Sequence, residues 1–179
     1  MKSPTITNNS FIDSILLTHK PQLASHYTKY HNHVCRVFNL AVTLSNPDEE
    51  NYKALAIASA FHDLGIWTAD TFDYLEPSVE LARNYLAQNN QLHLEPLITE
   101  IINNHHKLNS YKPNHIVEAF RKADLIDLSF GLISFGIDSE ILKVLNQQFP
   151  SSGFHRFIMK QATKNTLRHP LNPLPMLRL

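Results

Sequence analysis

The sequence predicts an all-α protein, and three observations carry that reading. Glycine is scarce, 4 residues against 10 prolines in a chain of 179, which suits helices opened by proline better than sheets turned by glycine. Apolar residues recur at three- and four-residue intervals through most of the chain. Most prolines stand beside those periodic stretches, where a helix starts or has stopped. The expected architecture is one domain, residues 1–179, built as a bundle of about seven to eight helices. A hydrophobic content of 43% is enough for one sizeable core.

The elements follow in order. Residues through Ser10 are polar and read as loose, and Ser10 then caps a short helix with Phe11, Ile12, Ile15 and Leu16 on its apolar side. A second helix runs from about Tyr27 to Ser45, where Tyr30, Val34, Val37, Phe38, Ala41 and Leu44 keep the helical period and Asn46-Pro47 ends it. Asp48 caps the third, which delivers His62 and Asp63 at its C-terminus just before Gly65. Residues 66–76 lack a period and read as a loop, long enough to suggest a functional one. Pro77, Pro96 and Pro113 each open a further helix; the second leads into His105-His106 and the third carries Phe120, Ala123, Asp124 and Asp127. Two more helices, near 139–147 and 152–167, precede a tail too rich in proline to stay helical.

Composition excludes several function classes. Lysine plus arginine equal aspartate plus glutamate at 16 each, so no global field argues for nucleic acid or a membrane surface. The end of the chain is locally basic, with Lys143, Arg156, Lys160, Lys164, Arg168 and Arg178 and no acid after Glu140. The four-residue recurrence of Arg156, Lys160 and Lys164 reads as a solvated face. Cys35 is the single cysteine, and no signal-like segment or apolar run of roughly 20 residues is present. The expectation is a cytoplasmic protein, with an oligomer left open.

Several polar side chains fall where apolar ones belong. His33 lies on the inward stripe of the second helix, three residues after Tyr30 and four before Val37. His31, two residues earlier, does not share that face and reads as solvated. His62-Asp63 closes the run AIASAF, at a helix end where side chains can converge on something outside the helix. Asp124 sits among Phe120, Ala123 and Leu128, where an unpaired charge would be costly and a metal ion or a basic partner would relieve it. Asp127 reads as a bridge between helix surfaces. Imidazole nitrogens with carboxylate oxygens suit Zn, Mn, Fe, Co or Ni, and two histidines with two aspartates leave positions open for water and substrate.

Together, H-x-x-R-V at His33 to Val37, the helix ending in His62-Asp63, I-x-x-x-H reaching His105 and A-D-x-x-D at Ala123 to Asp127 resemble the HD-domain superfamily of metal-dependent phosphohydrolases. The resemblance covers roughly residues 27–132, leaving the helices and tail of 138–179 outside it. It implies that His33, His62, Asp63 and Asp124 bind one divalent transition metal, and that the reaction is hydrolysis of a phosphate ester or anhydride of a small molecule such as a nucleotide.

The sequence departs from the family pattern at two points. Two-metal members carry a further histidine where this chain has residues 74–76, so a single ion is the expectation here, a second one needing His105 with His106 or Glu76. Single-metal nucleotidases place a glutamate shortly after the HD pair, where this chain reads Leu64, Gly65 and Ile66. Its acid/base work passes to Glu76, Asp70 or Asp73, Glu76 being favoured beside Pro77. His105 is a candidate to act on substrate or water. Arg36 and Lys122 are candidates to bind phosphate, Arg36 being as well suited to bridging two helices by a salt bridge. Two rival functions stand beside the leading one: an iron oxygenase or hydratase/lyase on the same scaffold, and a non-catalytic metal-binding module that docks a partner through its basic end.

Overall fold

The computed structural model describes residues 8–177, and all regular structure in that span is helical. The loose opening expected for residues 1–7, and Arg178 of the basic end, lie outside the described residues. Helix α1 covers Ser10–Thr18 and the single turn α2 Lys20–Leu23; α3 is Tyr27–Ser45, α4 Glu49–Phe61, α5 the single turn Gly65–Thr68, and α6 Leu75–Gln88. Then come α7 Glu95–Asn104, α8 His115–Leu128, α9 Ser139–Gln148 and α10 Phe154–Arg168. Eight of these have nine or more residues.

α3 has the bounds its periodicity predicts, and it ends at Asn46, which takes the left-handed conformation at φ 45° before Pro47. Asp48 caps α4 by accepting from Asn51 N. Residues 54–61 of α4 are buried on every side, because α4 packs against α1, α3, α6 and α7. Its alanines let those neighbours approach closely. α3 lies along α8, and that contact brings the inward stripes of His33 and Asp124 together.

Four expectations about helix starts need correction. Asn9, not Ser10, caps α1, its side chain accepting from Phe11 N and Ile12 N. α6 begins at Leu75, two residues before Pro77, and α7 at Glu95, one before Pro96. A proline is tolerated anywhere in the first turn, because those N–H groups have no intrahelical acceptor. Pro113 lies before the helix it was expected to open; Asn114 caps α8 by accepting from Ile116 N. The expected loop of 66–76 is therefore interrupted by α5 and shrinks to residues 69–74.

Gly65 is also used differently from a helix stop. A Cβ there would lie 2.5 Å from the Tyr74 carbonyl and 2.9 Å from Ser78 Oγ, and Gly65 N donates to Ser78 Oγ at 3.0 Å. Its value is the close approach that lets the chain after the His62-Asp63 pair press against the start of α6. The tail at 169–177 is non-helical as expected, but it folds back: Asn165 Nδ2 donates to the Pro173 carbonyl, and Met176 is buried in a cluster with Ile66, Phe72, Tyr74 and Leu75. No helix among the described residues is long and apolar enough to cross a membrane.

Candidate metal centre

Four elements deliver one buried cluster: α3 brings His33, the end of α4 His62 and Asp63, the end of α7 His105 and His106, and α8 Asp124. His33 Nε2 lies 3.0 Å from His62 Nε2, 3.6 Å from Asp63 Oδ2 and 3.7 Å from Asp124 Oδ1. His62 Nε2 is 3.5 Å from Asp63 Oδ2 and 3.9 Å from Asp124 Oδ1. On the other side of the carboxylates, His105 Nε2 is 3.3 Å from Asp63 Oδ1 and His106 Nδ1 is 3.6 Å from Asp124 Oδ2. The buried group His33-His62-Asp63 and the group Asp63-His105-His106, in which His106 is half-buried, each hold their ligand atoms close enough for a metal ion, whereas the expected ligand Asp124 falls in neither group and lies beside the first.

Hydrogen bonds behind the rings decide what they present. His33 Nδ1 meets Asp127 Oδ2 at 2.7 Å, His62 Nδ1 the Ser59 carbonyl at 2.8 Å, and His105 Nδ1 the Ile102 carbonyl at 2.7 Å. None of those oxygens can donate, so each Nδ1 carries the proton, and in the neutral rings each Nε2 turns a lone pair inward. Tied-back imidazoles of this kind are what metal ligation requires. Asp63 Oδ1, Asp124 Oδ1 and His105 Nε2 are buried and make no hydrogen bond. Asp124 Oδ1 faces His33 and His62, and Asp63 Oδ1 faces His105 Nε2 on the other side; a cation, or a proton on the facing imidazole, would satisfy each.

The titration behaviour follows from the crowding. Burial opposes charging His33, but its hydrogen bonds to Asp127 and Asp63 outweigh that and raise it to about 9. His62, 3.0 Å away, is lowered to about 3 by burial first and by the neighbouring His105 and His33. Two facing nitrogens can share only one proton. Burial lifts Asp124 to about 7, whereas Asp63, equally buried, is held well below the carboxylate range by His62, His105 and His33.

An outer layer fixes His33. The Arg36 guanidinium meets both oxygens of Asp127 through Nε and Nη2 and donates through Nη1 to the Phe149 carbonyl at 2.7 Å. Burial would raise Asp127, but its hydrogen bonds to His33 and then to Arg36 outweigh that and keep it well below the ordinary carboxylate range. From α10, His155 Nε2 donates to the Asp127 carbonyl at 2.8 Å, and Phe154 stacks on the His33 ring with centroids 3.9 Å apart. Asp127 thus bridges α8 to α3, as its position suggests, and orients His33 in doing so.

The remaining candidates are placed differently from the expectation. Arg36 is buried and committed to Asp127, so the helix-bridging reading describes it and the phosphate-binding one does not. Lys122 pairs with Glu118 at 3.5 Å and lies over the Phe135 ring. Glu76, Asp70 and Asp73 are exposed, and Glu76 sits in the first turn of α6, where its charge acts on Arg83. His31 is half-buried and meets Asp13 at 2.8 Å, so it is not simply solvated.

Sequence reasoning missed Tyr74. Its buried hydroxyl meets His106 Nε2 at 2.6 Å, and no periodicity could have pointed to a residue from an irregular stretch. Phe154 and His155 carried no signal either, since they lie outside the motif region. With its side chain 13% exposed, His106 is the outward member of a cluster otherwise nearly closed to solvent. A cavity of about 190 Å³ opens there, reaching His105, His106 and Asp124.

The described residues thus contain a buried His/Asp centre able to hold a metal ion, with access past His106. No protein-family model, no curated protein and no solved structure matches the chain.

Proposed function

We propose that the chain is a metal-dependent hydrolase of HD type, acting on a phosphate ester or anhydride of a small molecule in the cytoplasm. The observation that carries this reading is the set of three imidazoles whose protons are tied to oxygens behind them, aimed at the orphaned oxygens of Asp63 and Asp124. His33, His62, Asp63 and Asp124 would hold the ion, one of the Zn, Mn, Fe, Co or Ni group. Bound there, it supplies Lewis-acid polarisation of a phosphoryl oxygen and acidification of water.

The rest belongs to the chain's own side chains. Asp127 and Arg36 hold His33 in register, and Phe154 keeps water from its face. Tyr74 O–H donating to His106 Nε2 leaves the His106 proton on Nδ1, on the side of Asp124 and the cavity. In that state neutral His106, whose pKa burial and the neighbouring His105 hold well below the ordinary value, donates a hydrogen bond from Nδ1–H to the reacting group and orients it, while the leaving oxygen takes its proton from water. The test is elemental analysis of protein purified without a chelating column, joined to a phosphate-release panel. A metal-free protein that also releases no phosphate after metal addition would end this reading.

A second reading has an observation of its own. Asp63-His105-His106 forms another candidate ligand group, with Asp63 shared, so a two-ion centre, and with it oxygenase chemistry, is the alternative. Two metals per chain, with iron preferred, would favour it.

A further inference from the structure

The cavity beside the centre has walls of a definite chemistry. Leu108, Leu125, Leu128 and Leu177 line it together with His106 and Asp124. Leu108 and Leu177 are 60% and 40% exposed, and Leu125 and Leu128 are half-buried, so partly uncovered apolar surface borders this opening beside the cluster. Leu177 comes from the tail, which the buried Met176 anchors against Tyr74. Two cations also reach the wall: Lys107, which is half-buried, and Arg121, whose guanidinium is engaged by both oxygens of Glu118 and by the Lys107 carbonyl. No hydroxyl or carboxamide side chain among the described residues lines the cavity. At about 190 Å³ it falls below the roughly 300–1,000 Å³ of pockets that enclose drug-sized ligands.

We propose that the compound handled at this centre carries its phosphate on a small apolar body, an aryl or short alkyl group, seated against Leu108, Leu125, Leu128 and Leu177. The inference rests on the phosphohydrolase reading for the reacting group and goes beyond it for the rest of the molecule. Ribose hydroxyls set against the four leucines would lose water with few groups, Lys107 and His106, in reach to replace it, which disfavours nucleosides and sugars. An aryl or alkyl body instead covers apolar surface that water now touches, and gains affinity in proportion to the area covered.

The experiment measures binding and turnover separately on the full-length, metal-loaded protein. Calorimetric titration compares phenylphosphonate with inorganic phosphate and adenosine 5′-monophosphate; phosphate release compares phenyl phosphate with the same nucleotide. Phenylphosphonate should bind about tenfold more tightly than either competitor, the gain expected from burying one apolar group. Leu128→Asn, which puts a carboxamide on the wall, and Leu177→Ala, a milder change on the exposed tail, should each erode that preference while leaving inorganic phosphate binding unchanged. Equal or tighter binding of the nucleotide, or a preference unmoved in both variants, overturns the inference. Tight phenylphosphonate binding without any phosphate release supports the apolar body and instead sinks the hydrolase reading.

Discussion

The Nε2 atoms of His33 and His62 face each other at 3.0 Å, while the Nδ1 of each ring is engaged by an oxygen that can only accept. Two lone pairs at that distance repel unless a proton or a cation stands between them. Either changes the cluster's charge, and a cation there would also be within reach of Asp124 Oδ1, 3.7 Å from His33 Nε2.

Single alanine substitutions at His33, His62, Asp63 and Asp124 are expected each to lose most of the bound metal, since each removes one bond to the ion. Metal-to-protein ratios after gel filtration check this. Removing the metal from the wild type with a chelator should also lower the melting temperature, because the ion binds the folded chain alone. Full occupancy in three of the four variants would mean the ion sits elsewhere.

Asp127→Asn should weaken metal binding without touching a ligand. The carboxylate orients His33 and neutralises the buried Arg36, and loss of such an outer partner costs about 10–100-fold in metal affinity. Leaving Arg36 without its counter-charge should cost about 3–5 kcal/mol of stability as well. Metal titration and a denaturant melt report the two effects independently. Unchanged values in both would show that the Asp127 pairings contribute nothing.

Tyr74→Phe and His106→Ala should retain at least one metal per chain and lose turnover, by about 10²-fold for His106→Ala, which removes a hydrogen-bond donor to the reacting group. Glu76→Gln should keep near-normal activity, because Glu76 is solvent-exposed in the first turn of α6. The opposite pattern, with Glu76→Gln inactive and His106→Ala active, gives the catalytic role to the glutamate. A fall from two metals to one in either His105→Ala or His106→Ala would establish the two-ion centre instead.

Gly65→Ala should lower stability by about 1–3 kcal/mol, the usual cost of overpacking a site that cannot expand. The new methyl would meet the Tyr74 carbonyl at 2.5 Å, so relaxation must displace Tyr74 and loosen its bond to His106. Turnover should therefore fall more than metal content does. A variant as stable and active as wild type would show that the approach of the two segments is not tight in solution.

Helical period determined much of this protein before any contact was known. It set the bounds of α3, placed the Asp48 cap, and turned His33 and Asp124 inward, because a 3.6-residue repeat of apolar side chains specifies which face of a helix is buried. It does not specify what that face meets. His33 and Asp127 are 94 residues apart, and Arg36 could have pointed at a phosphate or at Asp127 with the same spacing in the chain. Tyr74 lies in a segment without period and reaches His106 only because Gly65 admits the start of α6 so closely. The tail was legible as non-helical from its prolines, yet its return over Tyr74 depends on apolar surface that α5 and α6 create together. Local pattern decides which residues leave water, and packing between distant segments decides which of them confront one another.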